Sequence, residues 1–103
     1  MRRAVVRYRV KPDQADRNAE LVRAVYEELH RLDPSGFRYA TFKLEDGVSF
    51  IHIAEFDGSE NPLSEVDAFK EFQSDIEARC DEPPVAMKAD EVGSFRFRPE
   101  VEG

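Results

Sequence analysis

The chain has no tryptophan, one cysteine, two histidines and no long apolar run among its 103 residues. A single cysteine cannot form an internal disulfide, which is typical of the reducing cytoplasm, so we expect a cytoplasmic protein. No segment approaches the roughly 20 apolar residues of a membrane span. Arg7 and Arg9 interrupt the apolar start of the chain, where a signal peptide needs its hydrophobic core. We therefore expect no membrane partner.

Metal ligands and basic charge are also scarce. His52 and Glu55 lie three residues apart on a predicted strand, so their side chains point to opposite faces and cannot chelate together. We expect no metal and no cofactor. The 15 Lys and Arg residues are outnumbered by 22 Asp and Glu residues, which gives a net charge of -7. This charge repels a phosphate backbone, so we expect no nucleic-acid partner.

The most informative segment that is present is a predicted β-hairpin over residues 37–56. Asp46-Gly47 tolerates the positive φ angles of a two-residue type I′ turn, which pairs Thr41 with His52. Side chains alternate across a sheet, so the pairing assigns every residue to one of two faces. Both faces are apolar: one carries Ala40, Phe42, Leu44, Ile51 and Ile53, and the other carries Phe37, Tyr39, Thr41, Phe50, His52, Ala54 and Phe56.

The rest of the chain predicts two helices and two further strands. Residues 3–10 alternate as a strand, and a helix capped by Asp13 follows. A second helix ends at Pro83-Pro84 because proline clashes with a continuing helix. Residues 85–97 predict one or two strands, broken near Gly93. The buried stripe of the second helix is predicted to contain Val66, Phe69, Phe72, Ile76 and Cys80.

The order strand, helix, strand, strand, helix, strand predicts an α+β fold of the ferredoxin-like βαββαβ type. Its antiparallel sheet carries both helices on one face. We expect one domain over residues 1–98 and a frayed tail over residues 99–103.

Two helices can cover only one face of this sheet. Exposing several large apolar side chains on the other face costs about 1.5–3 kcal/mol each relative to full burial. Two sheets packed face to face around a twofold axis would bury them. We therefore predict a homodimer through the sheet faces, although the sequence does not choose which face lies under the helices.

Segments 53–57 (IAEFD) and 67–72 (DAFKEF) combine acidic and aromatic residues on a strand and the following helix. In this pattern the chain, from Ala4 to Phe97, resembles the antibiotic biosynthesis monooxygenase-like group of the dimeric α+β barrel superfamily. The resemblance implies a dimeric α+β barrel. For some members it also implies oxygenation of an electron-rich aromatic substrate without a cofactor. Haem-degrading relatives use Asn, Trp and His, whereas this chain has no Trp and carries Phe72 roughly where they have one.

The candidate site lies on the face that carries His52. This residue could act as a base toward a phenolic substrate, because its unperturbed pKa of roughly 6.5 is near working pH. Thr41, directly opposite, could orient it. Each candidate has a packing alternative, since buried histidines and tyrosines also serve as hydrogen-bonded core residues. We assign substrate binding to Tyr39, Thr41, Phe56 and Phe72, and regard Tyr8, Tyr26 and Phe69 as further candidates.

Three functions remain open from the sequence, and whether the protein is an enzyme is itself open. The first is a cofactor-independent monooxygenase that acts on an aromatic or phenolic metabolite. The second is a non-catalytic dimer that binds a small aromatic ligand or regulates through it. The third is an isomerase- or cyclase-like relative on the same fold that uses His52 or a tyrosine as acid and base.

Overall fold

A computed structural model of the chain describes residues 2–97. Four strands form one antiparallel sheet in the order β2-β3-β1-β4, with the helices on one face. The predicted ferredoxin-like α+β fold is therefore confirmed. The expected frayed tail at residues 99–103 lies outside the described residues. In chain order the elements are β1 (Arg2–Val10), a 3-10 turn (Pro12–Gln14), α1 (Ala15–Leu32), β2 (Phe37–Lys43), β3 (Ser49–Phe56), a 3-10 turn (Pro62–Glu65), α2 (Asp67–Ser74), α3 (Ile76–Arg79) and β4 (Cys80–Lys88).

Helix α1 packs an apolar stripe against the sheet, with Leu21, Val22, Val25 and Leu29 buried. The predicted cap by Asp13 is wrong, because a 3-10 turn precedes the helix and α1 begins only at Ala15. Its end is marked by Asp33, which adopts a left-handed φ of 49° and donates its backbone N–H to the Leu29 carbonyl. Within residues 2–97, no helix combines the length and the apolar character that crossing a membrane requires.

The hairpin has the predicted register, with Thr41 opposite His52. Its turn is longer than predicted, since β2 ends at Lys43 and β3 begins at Ser49. Within this turn, Gly47 alone takes a positive φ, of 78°, and its N–H donates to the Leu44 carbonyl. The Asp46 carboxylate accepts hydrogen bonds from the Val48 and Ser49 N–H groups and the Ser49 hydroxyl. This side-chain mimic of a backbone turn replaces the two-residue type I′ loop.

The second helical region ends earlier than predicted, and the fourth strand begins earlier. Helix α3 stops at Arg79, and Cys80 is the first residue of β4 rather than part of a helical stripe. Pro83 and Pro84 lie inside this strand, at a register shift in its pairing with β1. Proline is tolerated there because β4 is an edge strand and a bulge leaves N–H groups out of the ladder. Residues 89–97 form no strand, so the prediction for 85–97 holds only up to Lys88.

The helices cover the sheet face that carries His52. Tyr8, Val10 and Phe50 on this face pack into one core cluster with Val25 and Phe72 from the helices. On the opposite sheet face, here called the open face, residues 2–97 place no helix. This face presents large apolar side chains that are substantially exposed in the monomer: Phe42 at 48%, Leu44, Val85 and Met87 at 66%.

Candidate functional site

A cavity of about 270 Å³ lies between the covered sheet face and α2. Its wall is mostly apolar, and its few polar side chains come from strands β1 to β3, the turn before α2, and α2 itself. We call it the site cavity. Its lining residues are Ala4, Val6, Tyr8, Tyr39, His52, Ala54, Asn61, Leu63, Phe69, Phe72, Gln73, Ile76, Pro84 and Ala86.

His52 occupies the centre of the polar part of this wall. Both of its ring nitrogens have partners: the Tyr8 hydroxyl lies 2.8 Å from Nε2, and the Tyr39 hydroxyl lies 2.6 Å from Nδ1. The Thr41 hydroxyl lies 3.1 Å from Nδ1 as well. The side chain is only 5% exposed. Burial lowers the pKa of His52 to about 4, because the charged imidazolium loses its hydration. The imidazole is therefore neutral at neutral pH.

The three tyrosines around His52 all keep their protons. Burial raises the pKa of Tyr8 and of Tyr39 well above the ordinary value, because a buried phenolate loses its hydration. The same effect raises the pKa of Tyr26 to about 12. The Tyr26 hydroxyl lies 2.7 Å from the Thr41 hydroxyl and so extends the network outward. The polar centre of the cavity is thus a chain of uncharged hydroxyls on both sides of an uncharged imidazole.

Two further residues, Asn18 and Arg79, complete the chain behind Tyr8. The Asn18 amide N–H donates to the Tyr8 hydroxyl oxygen at 2.9 Å. Arg79 Nε donates to the Asn18 side-chain oxygen at 3.1 Å, and Arg79 Nη2 donates to the Phe72 carbonyl at 2.8 Å. Asn18 is fully buried, and Arg79 is 5% exposed. A hydrogen-bonded chain therefore runs from a buried guanidinium to the cavity wall.

Sequence reasoning missed both of these residues. Asn18 could have been found, because it stands in the apolar stripe of α1 between Ala15 and Val22, where a polar residue requires a buried partner. Arg79 carried no such signal. The prediction placed it inside a longer helix, whereas it ends α3 and faces inward.

Aromatic rings form the apolar side of the site cavity. The Phe72 ring centroid lies 5.5 Å from that of His52 and 6.1 Å from that of Tyr8. Phe69 continues this wall, with its centroid 5.8 Å from that of Phe72. Tyr8 also stacks on Phe50 at 5.5 Å with nearly parallel planes. These contacts fix the orientation of the Phe69 and Phe72 rings, which face into the site cavity.

The predicted site residues are brought together in part. His52, Tyr39 and Phe72 line the cavity. Thr41 contacts His52 from behind and is not part of the lining. Phe56 is buried at the end of β3, where it borders a different groove beside Arg2 and does not line the site cavity. The catalytic and binding roles assigned to these residues stay predictions.

Metal and thiol chemistry have little support in the described part of the chain. Among residues 2–97, no group of three His, Cys, Asp or Glu side chains is arranged to hold a metal ion. Cys80 is buried, and this burial raises the pKa of its thiol, which disfavours the reactive thiolate. The chemistry that the geometry offers is hydrogen bonding and proton transfer at His52 and the tyrosines.

No protein-family model matches the chain, and no curated protein matches it. Solved structures nevertheless share its fold. A Nitrosomonas europaea protein named after the antibiotic biosynthesis monooxygenases superposes with a TM-score of 0.73 at 14% identity, over 90% of this chain and 100% of that one. A second structure with this family's name gives a TM-score of 0.69 at 19% identity, over 90% and 100%.

SnoaB, a cofactor-independent oxygenase from Streptomyces nogalater that was solved as a point mutant, gives a TM-score of 0.58 at 14% identity, over 92% of this chain and 96% of that one. At identities this low the likeness concerns the fold. The chain therefore has the α+β fold of solved structures that carry the antibiotic biosynthesis monooxygenase name, as its resemblance to that group implied.

Proposed function

We propose that the protein binds a small aromatic or phenolic metabolite in the site cavity and oxygenates it without a cofactor. One observation carries this proposal. A buried neutral imidazole, held at both nitrogens by tyrosine hydroxyls, lies on the wall of a mostly apolar cavity. An apolar pocket with a few convergent polar groups and a strongly perturbed pKa is the usual form of a binding or active site.

The cavity wall favours a flat aromatic ligand. Phe69 and Phe72 offer ring faces and edges for stacking. The volume of about 270 Å³ is slightly below the usual range for drug-sized ligands, which favours a molecule of two or three fused rings. Among the described residues, the polar contacts to such a ligand come from the side chains of Tyr8, Tyr39 and His52 on the sheet and from the amides of Asn61 and Gln73.

The proposed reaction needs only the substrate and dioxygen. A ketone that enolises to a phenol becomes electron-rich when it loses a proton, and its activated carbon can then transfer electrons to dioxygen and form a C–O bond. Cleavage of the O–O bond leaves one oxygen on the carbon as a carbonyl. The other oxygen combines with the two hydrogens that the carbon lost and leaves as one molecule of water. The protein's task in such chemistry is to orient the substrate, exclude bulk water and manage protons.

His52 is our candidate for the proton acceptor. It is neutral at neutral pH, so the ring nitrogen that carries no hydrogen can take a proton through the hydroxyl of the tyrosine that it contacts, Tyr8 or Tyr39, both of which line the site cavity. Its pKa of about 4 is lower than the value near working pH that the sequence suggested, so His52 is a weaker base than expected, and the resulting imidazolium passes its proton on readily as water forms. Tyr39, 2.6 Å from His52 Nδ1, is our candidate for the contact to the substrate oxygen. The fold shared with SnoaB, which is named a cofactor-independent oxygenase, supports this class of reaction without identifying the substrate.

Anthrone is a suitable test substrate, because it enolises to a three-ring phenol and its methylene becomes the second carbonyl of anthraquinone. We expect thermal stabilisation by anthrone and oxygen consumption above the uncatalysed rate. His52→Gln should retain the stabilisation and lose about 100-fold or more in turnover, the usual lower range for acid–base catalysis. His30→Gln, which removes an exposed imidazole on α1, is the matched control. Turnover of His52→Gln at the wild-type rate would refute the acid–base role.

A non-catalytic binding protein is the second candidate, and one observation favours it. Both ring nitrogens of His52 are already hydrogen-bonded, as in a core histidine that only shapes a pocket. A binding protein would be stabilised by anthrone without consuming oxygen. The same two assays therefore separate the candidates.

We also propose that the protein is a homodimer through the open face. Phe42, Val85 and Met87 are substantially exposed there, and a cleft of about 370 Å³ lies beside Phe42 and Phe97. Apolar side chains clustered on one face are typical of an interaction surface. The open face of a second copy is the simplest complement, because a twofold axis brings two such faces together.

Light scattering at micromolar concentration tests this proposal. The wild type should have the mass of a dimer, and Met87→Glu should shift it toward the monomer, because a carboxylate would be buried on each side of the axis. Leu32→Glu is the matched control, since Leu32 is 52% exposed but lies at the end of α1. A wild type that has the mass of a monomer would refute the dimer.

A further inference from the structure

The hydrogen-bond chain behind His52 has a direction that its donors determine. An arginine guanidinium can only donate, so Arg79 Nε–H must donate to an acceptor, the Asn18 side-chain oxygen at 3.1 Å. This contact fixes the amide with its nitrogen toward Tyr8. The Asn18 amide N–H then donates to the Tyr8 oxygen at 2.9 Å.

These two hydrogen bonds determine which acceptor the Tyr8 hydroxyl donates its proton to. Its oxygen accepts from Asn18, so its own O–H needs a different partner, and the described residues offer His52 Nε2 at 2.8 Å. Nε2 is then an acceptor, and a neutral imidazole carries its single proton on Nδ1. Nδ1–H in turn donates to the Tyr39 oxygen at 2.6 Å. The proton of Tyr39 is left for the Thr41 hydroxyl or for a ligand oxygen in the site cavity.

We propose that Arg79 and Asn18 are positioning residues that hold His52 in its Nδ1–H tautomer, and that the site cavity therefore selects ligands with an acceptor oxygen, a carbonyl or an ionised phenol, opposite Tyr39. The ligand part of this inference rests on the proposed function. The tautomer part concerns the protein alone.

The burial of Arg79 supports a role of this kind. Within residues 2–97 its side chain forms no salt bridge: it donates two hydrogen bonds to uncharged oxygens, its guanidinium carbon lies 5.2 Å from the centre of the Phe72 ring, and Asp75 favours its charge only through a longer-range electrostatic interaction. A charge buried without an ionic partner is costly, and an apolar residue would fill the space at lower cost. What the guanidinium provides, and an apolar residue does not, is a donor that sets the orientation of Asn18.

The substitution Asn18→Asp tests the direction with almost no change in shape. An ionised carboxylate accepts from Arg79 and also from the Tyr8 hydroxyl, so Tyr8 turns its proton away from His52. Nε2 must then carry the proton, and Nδ1 must accept from Tyr39. The predicted result is a change of His52 tautomer, which a long-range proton–nitrogen NMR spectrum of the ring reports directly.

The expected spectra are the Nδ1–H tautomer in the wild type and the Nε2–H tautomer in Asn18→Asp. Tyr26→Phe is the matched control, because it removes one hydroxyl from the far end of the chain and should leave Nδ1–H in place. If Asn18→Asp does not fold, Arg79→Met serves instead. There the amide can present either end to Tyr8, and both tautomers should appear. An Nε2–H tautomer in the wild type, or one tautomer in wild type and variant alike, would overturn the positioning role.

A pair of probes tests the ligand part. 1-Tetralone and tetralin share a bicyclic skeleton, and only the first has a carbonyl oxygen. The wild type should bind tetralone about 2- to 10-fold more tightly than tetralin, the range of one net hydrogen bond. Asn18→Asp should lose this difference because Tyr39 then donates to His52. Equal affinities in the wild type overturn the selectivity, and failure of both probes to bind refutes the proposed function while the NMR result still decides the positioning role.

Discussion

The low pKa of His52 predicts a specific dependence of stability on pH. The folded state keeps the imidazole neutral down to about pH 4, whereas the unfolded chain protonates it near its ordinary pKa of 6.5. Between these two values the unfolded state binds more protons than the folded state. The free energy of unfolding therefore falls as the pH is lowered through this window, and the contribution of His52 is fully present only above about pH 6.5.

The size of this effect follows from the width of the window. The pKa difference is 6.5 minus about 4, or about 2.5 units, and each unit corresponds to 1.36 kcal/mol. His52 should thus account for a loss of about 3 kcal/mol across the window. For a domain of this length, such a loss lowers the melting temperature by roughly 12–24 °C.

The assay is urea denaturation at a series of pH values for the wild type and for His52→Gln. Glutamine can donate and accept in place of the imidazole but does not titrate. The acidic residues also titrate on acidification, but they are common to both proteins, so the difference between the two curves isolates His52. If His52→Gln loses stability as steeply as the wild type between about pH 6.5 and pH 4, the account of a neutral buried imidazole is wrong.

Three further predictions concern the surroundings of the site. Tyr8→Phe should lower the free energy of unfolding by about 2–6 kcal/mol, measured by chemical denaturation. His52 Nε2 and the buried Asn18 amide each lose a hydrogen-bond partner, and each loss costs about 1–3 kcal/mol. A change below about 1 kcal/mol would contradict the hydrogen-bond network. The buried Cys80 thiol should react with iodoacetamide far more slowly in the folded protein than in urea, and equal rates would show that it is accessible. Glu28→Gln should speed hydrogen exchange at the Ala68 amide in the first turn of α2, because the Glu28 carboxylate accepts from that N–H at 2.8 Å, an interaction that also lowers the pKa of Glu28. Unchanged exchange would contradict a role of this hydrogen bond in holding the start of α2.

The sequence predicted the element order and the hairpin register well, because both depend on local periodicity. The alternation of residues 37–56 assigns His52 and Thr41 to one face, and the structure has the same pairing. The predicted two-residue turn was wrong because the Asp46 side chain, with its three hydrogen bonds, stabilises a longer loop than the Asp-Gly pair alone requires. The prediction that the second helix ends at Pro83-Pro84 was wrong because an edge strand with a bulge accommodates proline equally well.

The candidate site was predictable only where a local pattern assigned its residues to one face of a strand or a helix. Tyr39 and His52 follow from strand alternation, and Phe72 from helical spacing. Asn18 and Arg79 are 61 positions apart, and no local pattern joins them. No local pattern predicted which face of the sheet the helices cover either, because both faces of the hairpin are apolar.

The proposed function is oxygenation of a phenolic substrate in the site cavity, with His52 as the proton acceptor. The most direct measurement is the rate of anthraquinone formation from anthrone under isotopically labelled dioxygen, for the wild type and for His52→Gln. We expect the wild type to place labelled oxygen in the new carbonyl faster than the uncatalysed reaction does, and His52→Gln to be about 100-fold slower than the wild type or more. Equal rates for the two proteins, or a new carbonyl without the label, would contradict this proposal.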